Sequence, residues 1–140
     1  MRLVTRLRQL DRQQRRDLWP AAWRLLVVRA MLMLSSIDRT QCRLGGVSAG
    51  DSATFEAHIW QRRALALKRV GAALPGTRCL ARALALRWWM RNAGLPAHLR
   101  IGVPRDSARP SSHAWVECAD VPVDEDAQNL ARFRVIDWRE

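Results

Sequence analysis

PGTRCLARALALRWWMRNAGLPAHLRIGV, residues 75–103, contains the change of period that decides the fold. Pro75-Gly76 is a turn signal, and Thr77 carries the hydroxyl of a helix N-cap. Leu80, Ala83, Leu84, Trp88 and Met90 then mark one packed helical face. Gly94 and Pro96 end that helix, glycine by taking up the left-handed turn and proline by refusing to continue. From residue 97 the period falls to two. Leu99, Ile101 and Val103 alternate with His98, Arg100 and Gly102, which predicts a strand.

On the C-terminal side, PRDSARPSS (104–112) is a polar loop. HAWVECA (113–119) alternates again, Ala119-Asp120 is a tight turn, and VPV (121–123) returns as a short strand. FRVIDW (133–138) is a fourth strand. On the N-terminal side, residues 3–36 read as helix, in one piece or as two segments meeting near Pro20. Leu18, Trp19, Ala22, Trp23, Leu26, Val27, Ala30 and Leu34 form its apolar stripe. Residues 44–51 are a loop, and a further helix runs from Ser52 or Thr54 to Leu74 with Phe55, Ile59, Ala66, Val70 and Leu74 towards the core. Helices come first and hairpin-connected strands after. That order predicts an α+β fold in which N-terminal helices pack on a small antiparallel sheet.

The chain has 140 residues, enough for one domain spanning 1–140. Apolar residues make up 49% and charged residues 26%, which excludes a disordered chain. The longest apolar run, Leu25 to Leu34, is interrupted by Arg29, and a bilayer span needs about twenty apolar residues. The N-terminus lacks the apolar core of a secretory signal, and three cysteines make an odd count. Both point to a cytoplasmic protein with reduced thiols. The net charge is +11, carried by arginine except for Lys68. Residues 1–100 hold 19 basic and 5 acidic side chains, so the helical part is a basic surface for acidic partners.

Cys79 falls in the first turn of the helix just described, where free amides and the positive end of the dipole favour thiolate. A nucleophilic thiol needs a base, and the base needs a group that fixes its tautomer. His113 opens a strand after a polar loop, and Asp124, Glu125 and Asp126 arrive on the return strand. Cys79, His113 and one of these three carboxylates form a candidate thiol-hydrolase triad. His58 reads as a half-exposed packing residue and His98 as solvent-facing. Cys42 and Cys118 have no helix start, and Cys118 lies on the opposite strand face from His113. No CxxC, HxxxH or HExxH spacing suggests a metal, and Gly45-Gly46 is not a phosphate loop.

Taken together, residues 75–103 and HAWVE (113–117) resemble the transglutaminase-like cysteine protease that removes leader peptides in lasso-peptide biosynthesis. The likeness rests on Arg78-Cys79-Leu80 opening a helix, Gly94-Leu95-Pro96-Ala97 ending it, Ile101-Gly102-Val103 closing a strand, and His113 to Glu117 beginning the next. It covers about residues 60–126, so residues 52–140 are the catalytic core and residues 1–50 a variable helical segment. The resemblance implies a transglutaminase-like or papain-like core with Cys79 as nucleophile and His113 as general base and acid. The family's third member is an Asp about a dozen residues after the His; here that spacing lands on Glu125, with Asp124 or Asp126 as alternatives.

The resemblance also implies a split protease without its own leader-recognition domain. Its partners would be a precursor peptide, a separate leader-recognition protein and an ATP-dependent lasso cyclase, with no cofactor, metal or nucleic acid. Docking of such partners is expected on Arg62, Arg63 and Arg69. Two other readings stand beside this one. One is a basic nucleic-acid-binding module, with arginines on phosphates and tryptophans on bases; most tryptophans lie on predicted core stripes, which argues against it. The other is acyl transfer or amidase chemistry on the same triad.

Overall fold

The computed structural model describes residues 2–44, 54–106 and 111–136. Of the expected loop at 44–51, Leu44 instead ends a helix and the rest lies outside them, as do part of the loop at 104–112 and the end of the strand at 133–138. Helix α1 spans Arg2–Arg8, α2 Arg12–Leu34, α3 Ile37–Leu44, α4 Ala57–Ala73 and α5 Cys79–Asn92. Strands β1 (Ala97–Pro104), β2 (His113–Cys118) and β3 (Val121–Pro122), the short helix α6 (Ala127–Leu130) and β4 (Phe133–Ile136) follow. The sheet is antiparallel with strand order β3-β2-β1-β4, and α5 packs between it and α2 and α4. The expected α+β architecture is the observed one. α3 and α6 have no counterpart in the sequence expectation.

The first helical region breaks at residues 9–11, not at Pro20. Asp11 Oδ1 accepts the Gln14 amide at 2.7 Å, and Gln14 Oε1 accepts the Asp11 amide at 3.2 Å, a capping box that starts α2 afresh. Pro20 sits inside α2, where the packing of Ala21, Leu25 and Val28 carries the helix through. The buried side of α2 therefore differs from the predicted stripe. Trp19 is 76% and Leu34 87% exposed, and Leu26 also faces outward. On α4 the buried side runs through Trp60, Ala64, Leu67 and Gly71, with Phe55, Val70 and Leu74 partly buried and Ile59 outside the core cluster.

Charged pairing explains the rotation. Asp17 is buried, and Arg62 Nε donates to its Oδ2 at 2.6 Å while Arg63 Nε lies 3.8 Å from Oδ1. Arg63 stacks over the rings of Trp60 and Trp89, 4.5 and 4.9 Å from the centroids. Arg24 lies among Trp23, Trp88 and Trp89 at 4.9, 5.6 and 4.8 Å. Cation–π contacts strengthen as they are desolvated, so this layer cements α2, α4 and α5. Arg62 and Arg63 thus turn inward and are not the free docking cations expected of them.

Helix α5 is enclosed on most of its sides, burying Ala81, Ala83, Leu84, Ala85, Leu86, Trp89 and Met90 together with the charged Arg87. Such a helix belongs in the interior of a fold. Its C-terminus closes as a Schellman motif: Gly94 has φ 82°, the Leu95 amide reaches Met90 O and the Gly94 amide reaches Arg91 O, both at 3.0 Å. Ala119 and Asp120 form the predicted tight turn, with φ of 51° and 60°, the left-handed pair that a two-residue hairpin favours.

Across β1 and β2, Gly102 pairs with His113. The His113 ring stacks on Phe133 at 5.2 Å and on Trp115 at 6.0 Å. A β-carbon at Gly102 would come 2.9 Å from Phe133 Cβ and 2.9 Å from the Trp115 ring. Gly102→Ala should therefore destabilise the protein by about 1–3 kcal/mol through overpacking. Urea denaturation checks this, and a midpoint unchanged from wild type would contradict the packing described.

Candidate active site

Cys79 is the first residue of α5. The N-cap is Arg78, which makes no side-chain capping bond, and Thr77 is not the cap expected from the sequence. Its hydroxyl donates backwards to Leu74 O at 3.0 Å, closing the turn that leaves α4. The first-turn amides of α5 are consequently uncapped by any side chain. The Leu80 amide and, from β2, the Ala114 amide favour the thiolate form of the Cys79 sulfur. In its neutral form the thiol points to Ser112 O at 4.0 Å.

His113 opens β2 as predicted. Its Nε2 lies 2.8 Å from Glu125 Oε1, and the ring shares one cleft with Cys79, whose sulfur lies 4.0 Å from the carbonyl oxygen of the preceding residue, Ser112. With Nε2 engaged by the carboxylate, Nδ1 is the ring nitrogen left for other work. Glu125 thereby selects the tautomer and holds the ring plane. Phe133 and Trp115 hold the same ring by stacking.

The electrostatics are mutual. The bond to His113 is the main cause that pulls the Cys79 thiol below its ordinary range, against burial, with the Ala114 and Leu80 amides adding to it. The bond to Cys79 chiefly raises His113, again against burial, and the charge and hydrogen bond of Glu125 raise it further. Lowering the acid and raising the base favours a thiolate–imidazolium pair.

The three consecutive carboxylates do different things. Glu125 meets the imidazole. Asp124 is turned inward, and its Oδ1 accepts the Val116 amide at 2.9 Å. Burial pushes its carboxyl up to about 6. Asp126 caps α6 by accepting the Gln128 amide at 3.1 Å. The geometry thus brings Cys79, His113 and Glu125 together and gives neither alternative carboxylate to the ring. Val123, whose amide bonds Val116 O at 2.9 Å, is the last residue of the chain running along β2 before this turn.

These groups open onto a cleft of about 430 Å³ between α4, the start of α5, β2 and the 123–129 turn. A second groove, of about 640 Å³ between α1, α2 and α4, is lined by no thiol, imidazole or carboxylate. Cys118 is buried on the helix-facing side of β2, as the strand period predicts, and burial raises its thiol. Cys42 is exposed on α3. His58 is exposed beside Glu56 rather than half-packed, and His98 is half-buried on β1. Among the described residues no group of three or more His, Cys, Asp or Glu is arranged to hold a metal ion, and no helix is long and apolar enough to cross a membrane.

Sequence reasoning did not find the Ala114 and Leu80 amides or the anchoring role of Asp124. The amides have no signature beyond the helix start and strand start that place them. Asp126, followed two residues on by the amide that it caps, carried a readable N-cap signal.

No curated protein and no solved structure matches the chain. The family model described as transglutaminase-like superfamily matches residues 18–137, a span that runs from α2 to the end of the sheet and includes Cys79, His113 and Glu125. Domains of this kind typically carry cysteine peptidase or acyl-transfer chemistry. A thiol at a helix start beside an imidazole on an antiparallel sheet is a site suited to it, and the chain belongs to the transglutaminase-like superfamily.

Proposed function

We propose that this chain is a cysteine peptidase that removes the leader from a ribosomally made lasso-peptide precursor. The observation that carries the peptidase reading is the Cys79 sulfur at the start of α5 sharing an open cleft with the hydrogen-bonded His113–Glu125 pair. The lasso assignment is supported by the ordered likeness of residues 75–103 and 113–117 to that protease. In this reading the enzyme works in the cytoplasm, where the thiol stays reduced. A separate leader-recognition protein delivers the precursor, and an ATP-dependent cyclase takes the cleaved core.

The chemistry follows from the placement of the groups. Cys79 thiolate attacks the carbonyl carbon of the last leader residue. The resulting oxyanion sits at the start of α5, where the Cys79 amide is a donor with no competing side-chain cap. His113 gives its proton to the departing amine, which becomes the N-terminus of the core peptide. Water then enters, His113 takes its proton, and the acyl-enzyme is hydrolysed. Glu125 stabilises the imidazolium in both halves of the reaction without itself taking the proton.

Cys79→Ala should abolish leader removal while leaving the unfolding midpoint nearly unchanged. Mass spectrometry of the precursor mixed with the chain and its recognition protein reads the outcome; undiminished release of the core by the variant would sink the assignment. The ionic pair gives a second expectation. Because the thiol is lowered and the imidazole raised, Cys79 should react with iodoacetamide at pH values where an ordinary thiol is still protonated. Its rate should climb as pH rises through the lowered thiol value and then level off. Glu125→Gln removes the charge that raises His113, which weakens the imidazolium and moves the Cys79 profile to higher pH. Peptide-resolved alkylation across a pH series measures this, and a superimposable profile for the variant would show that Glu125 does not tune the pair.

A further inference from the structure

The cleft has two charged walls of opposite sign, and only one of them is neutralised from within. On the acidic side Glu125 is held by His113, Asp126 caps α6, and Asp124, half-buried, accepts the Val116 amide. On the other side stand Lys68 of α4 and Arg82 of α5. Among the described residues neither has an acidic partner. Lys68 is the chain's single lysine.

Arg82 is three residues after Cys79, so the two side chains lie on the same face of α5, one turn apart. Its stem is also confined. A β-carbon at Gly71 would stand 3.1 Å from Arg82 Cδ and 3.2 Å from Thr77 Cγ2, so glycine makes the slot in which the methylenes run. Lys68 is exposed and follows Gln61, Ala64 and Leu65 along the face of α4 that walls the cleft. A guanidinium on a confined stem and an exposed ammonium, both unmatched among the described residues and both lining the cleft of the nucleophile, present a carboxylate-sized demand for negative charge.

We propose that Lys68 and Arg82 form a subsite for a carboxylate on the peptide substrate, next to the bond that Cys79 attacks. The proposal rests on the peptidase reading and adds a preference to it: a peptide bearing an acidic side chain, or a free C-terminal carboxylate, beside an apolar residue seated near Leu65 and Leu86. Both sources of carboxylate present the same group to the two cations.

Binding to the Cys79→Ala protein tests this without requiring turnover. The probes are three tripeptides: Ala-Leu-Glu amide, Ala-Leu-Gln amide, and Ala-Leu-Gln with a free C-terminus, each followed by NMR shifts of cleft residues. A carboxylate peptide should bind roughly fivefold more tightly than the neutral one, and the advantage should vanish at high salt. Which of the two acidic peptides gains identifies the source of the charge. Adding Lys68→Ala and Arg82→Ala together should remove the preference and leave the neutral peptide's affinity unchanged. Equal binding of all three peptides, or a preference that survives the double substitution, overturns the subsite.

The second measurement uses the unsubstituted thiol. The ratio of iodoacetate to iodoacetamide rates at Cys79 should fall by roughly fivefold in the Lys68→Ala/Arg82→Ala protein, because only the first reagent carries a carboxylate. An unchanged ratio counts against the subsite alone. Failure of leader removal by the wild-type chain, with the peptide preference intact, counts against the lasso reading and leaves the subsite standing.

Discussion

The packing of α5 fixes the thiol. Eight of its fourteen residues are buried, between the arginine–tryptophan layer on one side and β1 and β2 on the other. A helix so enclosed has no room to slide or roll, because close-packed interiors resist even small displacements. Cys79 is its first residue, so the sulfur inherits its position from the core. The same β2 that packs on α5 begins with His113, and the contact between sulfur and ring follows from how helix and strand are joined in the core. Strand pairing adds the remaining restraint. Gly102 lets Phe133 and Trp115 close on the imidazole, and any larger residue there would push them off.

The basic composition acquires a structural meaning in this arrangement. Several arginines of the helical half are building material. Arg24 and Arg63 fill the space between four tryptophan rings, and Asp17 gathers Arg62 and Arg63 across α2 and α4. Burial and their mutual repulsion lower Arg24, and burial lowers Arg63 while Asp17 opposes that change. Asp17 is therefore the carboxylate that makes a partly buried pair of guanidiniums tolerable. Breaking such a set by removing one partner costs far more than the set contributes as a whole, since the remaining charge stays desolvated.

This division explains which parts were legible in the sequence. The period change at residue 97 and the turn at Ala119-Asp120 depend on local geometry, and both were readable. The face of α2 was not. Periodicity names an apolar stripe, but Asp17 and Arg24 need partners that only tertiary structure supplies, and they rotate the helix until Trp19 faces outward. The break at Leu10 was hidden behind the more conspicuous Pro20, because a proline is visible to a propensity argument and a reciprocal Asp11–Gln14 cap requires both residues to be read together. Thr77 failed as a cap for a similar reason. Its hydroxyl had two possible partners, an α5 amide ahead that would donate to it and the Leu74 carbonyl behind that accepts from it, and the turn at Pro75-Gly76 brought the carbonyl within reach. At the site, Cys79 and His113 were legible because each stands at the start of its element. The choice among Asp124, Glu125 and Asp126 was not, because it depends on how the chain leaves the sheet.

That departure shows why three adjacent carboxylates do not compete for one imidazole. β3 pairs with β2 only through residues 121 and 122, and the Val123 amide makes one more bond to Val116 O. The next ladder position is taken by a side chain. Asp124 Oδ1 accepts the Val116 amide that a strand carbonyl would otherwise take, so the backbone is free to turn away from β2. The substitution has a cost. A carboxyl pushed up to about 6 is one that the fold prefers protonated; its contribution to stability is complete below the ordinary carboxylate range and is lost as pH rises through that value. In return, the turn projects Glu125 towards the ring, where glutamate, one methylene longer than aspartate, reaches Nε2 at 2.8 Å. Asp126 then stops the turn by capping α6. One side chain imitates the strand, the next serves the imidazole, and the third starts a helix. The order of those tasks is set by the hydrogen-bond ladder of β2, the same strand that places His113.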